Sequence, residues 1–213
     1  QHEPPRIVGD LLQSEIAEKQ ARSIRYQLTI AKLPLAKDIE QFDFTDTPIN
    51  EGLYRPKNSG DSYRGDISLK QAFARSSNVA SVRLYQQVGG EAVAKAAEDL
   101  GVTSKLNLDP SLALGSSGIT LLELTSAYAG VAGNAWPVEP HAFKQEEQGW
   151  IEWLFSGPRS FSGRTHQMLL DLLGETVTDG TGRAARLSIP AYGKTGTSQD
   201  YRDALFVGFA GDL

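Results

Sequence analysis

The order of patterns along the chain is the feature that most constrains the fold, because helical patterns come first and two strand-like runs close the chain. The closing runs are "AYGKTGTS" and "DALFVGFAG", and the polar turn "QDYR" joins them. Upstream, "EAVAKAAEDLGV", "TLLELTSAYAGVAG" and "GRTHQMLLDLLGETV" have helical composition and amphipathic spacing. Segregated helices and antiparallel strands are typical of α+β folds, whereas parallel α/β folds alternate the two. The sequence therefore predicts an α+β domain.

Three local patterns predict details within this order. Residues 43–65 are rich in Pro, Gly, Asn and Asp, which predicts a long irregular surface segment. The run "ISLKQAFARSSNVASVRLYQQVGG" predicts two helical pieces that are broken around residues 76–78. Thr120 followed by Glu123 predicts a capping box at the start of a buried helix.

Composition excludes several classes of function. The chain has 213 residues, of which 40% are apolar, and this suits one domain with a core of its own. Its formal charge of -5 gives no reason to expect nucleic acid as a partner. The absence of cysteine excludes a thiolate nucleophile, and the three scattered histidines lack metal-ligand spacing. These residues therefore give no indication of a metal site.

The triplet Lys194-Thr195-Gly196 lies in the first closing run and admits two interpretations. A phosphate-binding loop would need a glycine five positions before Gly193, and that position holds Ser188. It would also need a helix after the triplet, where the sequence has a strand-like run. Spacing and context both exclude a phosphate loop.

The alternative interpretation is a strand beside an acyl-transfer site. Lys194 would hold a substrate carboxylate, and the hydroxyl of Thr195 or Thr197 would bond the same group. Gly196 would let a substrate backbone lie along the strand edge, and the Thr197 amide could face a developing oxyanion. By itself the triplet is weak support, because such triplets often arise by chance, and a polar strand with an exposed lysine would then be the better explanation.

A second motif strengthens that interpretation. Ser76 and Asn78 form a Ser-x-Asn sequence at the predicted helix break. Helix capping would explain these two residues if they stood alone. Together with Lys194-Thr195-Gly196, they match two of the three short motifs of penicillin-recognising enzymes, which are Ser-x-x-Lys, Ser-x-Asn and Lys-Thr-Gly.

The chain resembles the transpeptidase domain of class A (bifunctional) penicillin-binding proteins from about Asp46 to Phe209. The stretches that carry the resemblance follow one another in family order: "DTPI", "YRPKNSG", "YRGDISLKQAFARSSNVASVRL", "LALGSSGITLLELTSAYAGVA", "VTDGTGRAARL" and "GKTGTSQDYRDALFVGF". The resemblance implies a penicillin-binding protein/serine β-lactamase-like fold, in which helices flank an antiparallel sheet and an all-helical subdomain is inserted at roughly residues 33–180. It implies one transpeptidase-like domain over residues 1–213, truncated at both ends and lacking the outer strand next to "FVGFAG".

The third motif is missing, because no serine in the chain has a lysine three positions later. The resemblance places Thr29 at the nucleophile position and Lys32 at the position of its lysine. The Pro-Gly that precedes the nucleophile in the family is absent, and the methyl group of threonine crowds the path of attack. A plain amphipathic helix with Lys32 in solvent explains this segment equally well, so both interpretations stay open.

The resemblance also implies a reaction and its partners. The hydroxyl would attack a peptidoglycan stem peptide that ends in D-Ala-D-Ala, and an amine of a second stem would then take the acyl group. Ser76 and Lys32 would relay protons, Lys194 and Thr195 would hold the terminal carboxylate, and Asn78 would hold the peptide amide. The reaction that the resemblance implies needs no metal and no cofactor. β-Lactams would acylate the same hydroxyl, and the parent protein would be membrane-anchored at the periplasmic or extracytoplasmic face.

Three alternatives to an active transpeptidase follow. A catalytically degenerate relative would bind or scaffold in the cell envelope, and the Thr29 position favours it. A β-lactamase or β-lactam sensor has the same motif types, although the run from "GTGRAAR" to "YRDALFVGF" is more typical of a biosynthetic transpeptidase. A fragment without its outer strand would expose a sheet edge.

Overall fold

A computed structural model describes residues 43–49, 54–143, 157–197 and 204–211. All of these belong to one compact unit, Asp38–Leu213. Thr29 and Lys32 lie outside the described residues, so their proposed roles stay predictions. The extent of the predicted helical subdomain also stays a prediction.

The described residues contain four strands and five helices. The strands are β1 (Asp43–Asp46), β2 (Gly65–Ser68), β3 (Ala191–Thr197) and β4 (Ala204–Ala210). The helices are α1 (Leu69–Ala74), α2 (Asn78–Val88), α3 (Gly90–Asp99), α4 (Leu121–Ala132) and α5 (Gly163–Thr178). Short 3-10 turns lie at Ser59–Asp61, Pro110–Leu114 and Arg183–Ala185. The α+β prediction is confirmed.

The β1–β2 pair was not predicted from the sequence. Its strands are antiparallel, and Phe44 stands opposite Ile67. Both side chains are buried with Ala72 of α1 and Ala80 of α2. The prediction of an irregular surface segment was therefore wrong at its first four residues. The turn-forming composition of this segment concealed a short strand that is fixed by packing against the helices.

The predicted helix break is confirmed at the turn between α1 and α2. Ser68 begins α1 in a capping box with Gln71. After the turn, α2 buries Val79 and Val82 completely. The break therefore lies between two helices whose positions are fixed by burial.

The β3–β4 pair is the predicted closing strand pair, and it is antiparallel with Gly193 opposite Gly208. Helix α5 buries Leu172, Leu173 and Val177, and it packs on both α1 and β3. In the described part of the chain, each sheet has two strands, and Leu205 and Phe206 of β4 are exposed. Helix α5 thus holds the two motif-bearing regions, the α1–α2 turn and strand β3, against one body.

Candidate functional site

The capping role that competed with function at Ser76 and Asn78 belongs to Ser77 instead. Ser77 is the N-cap of α2, and its hydroxyl accepts a hydrogen bond of 3.1 Å from the Ala80 amide. Ser76 therefore lies outside the cap. Asn78 is the first residue of α2, and its side-chain amide donates to the Lys57 carbonyl at 2.7 Å. Neither motif residue is needed to cap the helix.

Ser76 lies in a turn of unusual backbone conformation. Its φ is 53°, in the left-handed region that non-glycine residues rarely adopt. Its amide donates to the Phe73 carbonyl at 3.1 Å, which closes the turn after α1. Such conformations cost on the order of 1 kcal/mol or more and persist where the surroundings fix them, often at functional sites.

The structure brings the two motifs together through Lys194 and Ser76. The Lys194 ammonium donates a hydrogen bond to the Ser76 hydroxyl, although the two residues are 118 positions apart. It also donates to the Thr195 carbonyl at 3.1 Å and lies 5.7 Å from the centre of the Phe73 ring. Two predicted site residues that are distant in the sequence therefore meet at one place.

Burial lowers the pKa of the Lys194 ammonium. Among the described residues, no carboxylate lies within ion-pair distance of it. A partly buried cation without a counter-ion attracts an anion, because the pairing offsets its lost hydration. The surroundings of Lys194 thus suit the carboxylate-holding role that the sequence predicts.

The other three residues of the predicted strand motif differ in their surroundings. The hydroxyls of Thr195 and Thr181 are 2.5 Å apart, so Thr195 is bonded to the loop that follows α5. Gly196 is exposed, and a methyl group added to it would meet no atom within 4 Å. Thr197 is exposed at the end of β3. Packing thus does not explain why position 196 is glycine.

Thr181 was not singled out in the sequence, although it lies in the quoted stretch "VTDGTGRAARL". Its amide donates to the Ala74 carbonyl of α1 at 3.0 Å. The preceding Gly180 fits only as glycine, because an added methyl group would lie 2.2 Å from the same carbonyl. The loop after α5 therefore bridges the end of α1 and strand β3, directly beside the contact between Ser76 and Lys194.

Asp46 and Asn58 were also not singled out, although "DTPI" and "YRPKNSG" contain them. Both are buried, and together with Ser77 they form a polar cluster under the α1–α2 turn. Both lie in stretches of turn-forming composition, so no local pattern predicts that they are buried.

An open cavity of about 260 Å³ adjoins the same turn. Ser76 and Thr181 line it, as do charged side chains that include Arg64, Arg75 and Asp179. Arg75 lies 3.3 Å from the Asp179 carboxylate. The residues that line the cavity do not include Asn78 or Lys194. Ser76 thus lies between the cavity and the β3 motif.

The described residues hold no group of three or more acidic or histidine side chains that could bind a metal ion. None of the helices in the described ranges has the length and apolar character that a membrane crossing requires.

The family model of the penicillin-binding protein transpeptidase domain matches residues 36–212. The chain belongs to this transpeptidase family. The matched residues include both the Ser76–Asn78 motif and the Lys194–Gly196 motif. The match begins after Thr29 and Lys32, so it does not bear on the predicted nucleophile.

Relatives place the chain near penicillin-binding proteins 1A. It is 34% identical over 168 residues to penicillin-binding protein 1A of Aquifex aeolicus, which covers 73% of this chain and 22% of that protein. It is 32% identical over 164 residues to penicillin-binding protein 4 of Bacillus subtilis, which covers 73% of this chain and 26% of that protein. The transpeptidase-family chain thus spans about a quarter or less of the length of these relatives.

Solved structures share the fold. Penicillin-binding protein 1A from Haemophilus influenzae superposes with a TM-score of 0.69 at 21% identity, covering 86% of this chain and 35% of that one. The D,D-transpeptidase domain of a peptidoglycan glycosyltransferase from Eggerthella lenta gives a TM-score of 0.60 at 21% identity, covering 86% and 55%. The predicted fold of penicillin-binding proteins is thereby confirmed.

Proposed function

We propose that this domain is a peptidoglycan D,D-transpeptidase that cross-links stem peptides by acyl transfer through a side-chain hydroxyl. The observation that carries the proposal is the contact between Lys194 and Ser76, because it assembles two motifs of the family in one site. Membership of the transpeptidase family supports the same reaction class.

In the first step of the proposed reaction, the Thr29 hydroxyl attacks the carbonyl of the penultimate D-alanine. Its proton passes through Lys32 and Ser76 to the departing D-alanine amine, and an ester forms on the enzyme. An amine of a second stem peptide then attacks this ester, which closes the cross-link and restores the hydroxyl. β-Lactams would acylate the same hydroxyl because they resemble the D-Ala-D-Ala end.

The substrate would be held by the β3 motif. Lys194 would pair with the terminal carboxylate, and this would supply the counter-ion that its partly buried ammonium lacks among the described residues. Thr195 would bond the same carboxylate, Gly196 would leave room for the peptide, and the Thr197 amide would face the oxyanion. Asn78 would bond the peptide amide. We place the domain at the extracytoplasmic or periplasmic face, in a membrane-anchored parent protein.

A second candidate is a degenerate module that retains the ligand groove and performs no chemistry. Threonine at the predicted nucleophile position favours it, since the added methyl group stiffens the side chain and crowds the attack. A displacement of about an ångström at a nucleophile can cost on the order of a hundredfold in rate. Such a module would bind or scaffold in the cell envelope.

Labelled penicillin distinguishes the two candidates. The folded protein is incubated with it, and any covalent adduct is located by peptide mass spectrometry. An active transpeptidase gives an adduct on Thr29 that Thr29→Ala abolishes and that Thr29→Ser forms faster. The matched control is Thr125→Ala, which removes an exposed hydroxyl bonded within α4 and leaves the adduct unchanged. A folded sample that forms no adduct at saturating penicillin contradicts the enzyme and supports the degenerate module.

A further inference from the structure

A buried carboxylate lies beneath the α1–α2 turn. Asp46 ends β1 and is only 3% exposed. It accepts hydrogen bonds from the Asn58 side-chain amide at 2.6 Å, the Ser77 hydroxyl at 2.7 Å and the Arg64 backbone amide at 3.1 Å. Within the described residues no basic side chain lies in ion-pair distance of it. These three donors therefore replace the water that a carboxylate loses on burial.

Two of those donors also hold the first turn of α2. The Ser77 hydroxyl, which donates to Asp46, accepts from the Ala80 amide at 3.1 Å. The Asn58 side-chain carbonyl accepts from the Val79 amide at 3.2 Å, while its amide donates to Asp46. Two backbone donors that a helix start leaves unpaired are thus satisfied by side chains tied to one carboxylate.

This arrangement fixes the residues on both sides of Ser77. Ser76 has the left-handed φ of 53°, and its hydroxyl contacts the Lys194 ammonium. Without outside constraints, a non-glycine residue would leave this backbone region. Asn78 follows Ser77 directly and begins α2. Since Ser77 is bonded on both sides, its neighbours have little freedom to rotate.

We propose that Asp46 is a positioning residue of the acyl-transfer site. Through Ser77 and Asn58 it holds the α1–α2 turn in the one conformation that keeps the Ser76 hydroxyl on Lys194. Its effect on the site is indirect, since its carboxylate bonds to Asn58, Ser77 and the Arg64 amide and, among the described residues, to neither Ser76 nor Lys194. An effect of Asp46 on acyl transfer presupposes the proposed function. Its effect on the contact between Ser76 and Lys194 does not, because that contact is a feature of the folded chain.

The test measures the reactivity of the Lys194 amine directly and does not require the protein to have transpeptidase activity. The folded protein is labelled with trace acetic anhydride at neutral pH, and the modification of Lys194 is measured relative to that of Lys70 by mass spectrometry. Lys70 lies on α1 and pairs with Glu175 at 3.2 Å, so a general loosening of the structure would expose it as well. Ser76→Ala removes the hydroxyl that favours the charged amine, so the ratio should rise roughly three- to tenfold.

Ser77→Ala is the decisive variant, because it breaks the link and leaves the Asp46 charge in place. We expect it to raise the ratio as Ser76→Ala does, and we expect Ser77→Thr, which keeps a hydroxyl, to restore the wild-type ratio. Asp46→Asn should act like Ser77→Ala. The matched control is Asp66→Asn, an exposed carboxylate on β2 that accepts from the Thr45 hydroxyl and should leave the ratio unchanged.

Two outcomes overturn the proposal. If Ser77→Ala and Asp46→Asn lower the melting temperature but leave the ratio at the wild-type value, the cluster only stabilises the fold. If Asp46→Asn raises the ratio and Ser77→Ala does not, the charge acts across space and not through the turn. The labelling ratio of Lys194 does not depend on acylation by penicillin. A protein that fails to react with penicillin would therefore contradict the proposed function and leave the role of Asp46 standing.

Discussion

Two glycines of β3 differ in whether packing requires them, and this difference distinguishes a role in folding from a role in binding the proposed ligand. Gly193 and Gly196 are three positions apart in the same strand, yet only Gly193 is required by packing. An added methyl group at Gly193 would lie 2.6 Å from the Val207 carbonyl and 2.5 Å from the Phe206 ring. At Gly196 it would meet nothing within 4 Å. If the peptide lies along this strand, Gly196 leaves room for it.

Alanine at Gly193 should therefore affect stability, whereas alanine at Gly196 should affect ligand binding. Gly193→Ala should lower the free energy of unfolding by roughly 1–3 kcal/mol, since the added methyl group overpacks the strand pair. Gly196→Ala should leave that free energy within about 0.5 kcal/mol of the wild type. It should weaken penicillin binding by roughly tenfold or more, because the methyl group occupies the path of the ligand.

Urea denaturation measures the first quantity, and competition against labelled penicillin measures the second. Each variant serves as the control for the other. A Gly196→Ala protein that binds penicillin as the wild type does would contradict the placement of the ligand along β3.

At the scale of one element, Glu123 clamps the start of α4 to the preceding loop. Its carboxylate accepts from the amides of Thr120, Thr103 and Ser104, each at 2.8 Å. It also accepts from the hydroxyls of the same three residues. These bonds, the Thr120 amide first among them, lower the pKa of Glu123 well below its usual range. The capping box predicted from the sequence is thus half of a larger clamp.

The clamp predicts a dependence of stability on pH. The folded state lowers the pKa of Glu123, so its carboxylate stabilises the fold fully above the ordinary glutamate pKa of 4.5. This contribution to stability is lost as the pH falls below 4.5 towards the pKa of the folded state. Glu123→Gln should lower the melting temperature by a few degrees at neutral pH, since an amide nitrogen cannot accept these bonds. The difference from the wild type should shrink as the pH falls below 4.5.

Thermal unfolding at a series of pH values measures this difference. Glu98→Gln is the matched control, because Glu98 is exposed and its one ion pair within the described ranges is with Lys95 at 3.7 Å. A constant difference between wild type and Glu123→Gln over the whole pH range would show that the carboxylate does not supply the clamp.

The elements show which parts of the fold a single sequence can predict. The α1–α2 break, α5 and the closing strand pair follow from local periodicity and breakers, and the structure confirms them. Strand β1 was missed because its burial comes from Ile67 and the helices behind it, which no local pattern records.

Some residues of the candidate site could also be predicted from the sequence, and others could not. Lys194 and Ser76 were found because their motifs are short and contiguous. Asp46, Asn58 and Thr181 were missed because their roles depend on contacts with residues distant in sequence, such as the bond of Thr181 to Ala74.

At the scale of the whole molecule, the two halves of the site are joined by one loop. Residues 179–182 run from the end of α5 across the last turn of α1 to the side of β3. Thr181 bonds the Ala74 carbonyl through its amide and the Thr195 hydroxyl through its own hydroxyl. The distance between the Ser76 turn and Lys194 therefore depends on how closely this loop approaches α1.

Gly180 sets that approach, since an added methyl group would lie 2.2 Å from the Ala74 carbonyl and 2.7 Å from the Thr176 Cα atom. Both neighbours are backbone atoms that cannot rotate away, so the loop itself must move.

Gly180→Ala should lower the free energy of unfolding by roughly 1–3 kcal/mol. It should also separate Ser76 from Lys194, which raises the labelling of Lys194 relative to Lys70. Gly118→Ala is the control, because a methyl group there meets nothing within 4 Å. If Gly180→Ala destabilises the protein while the labelling ratio stays at the wild-type value, then the loop stabilises the fold without setting the geometry of the site, and α5 alone must hold the two motifs together.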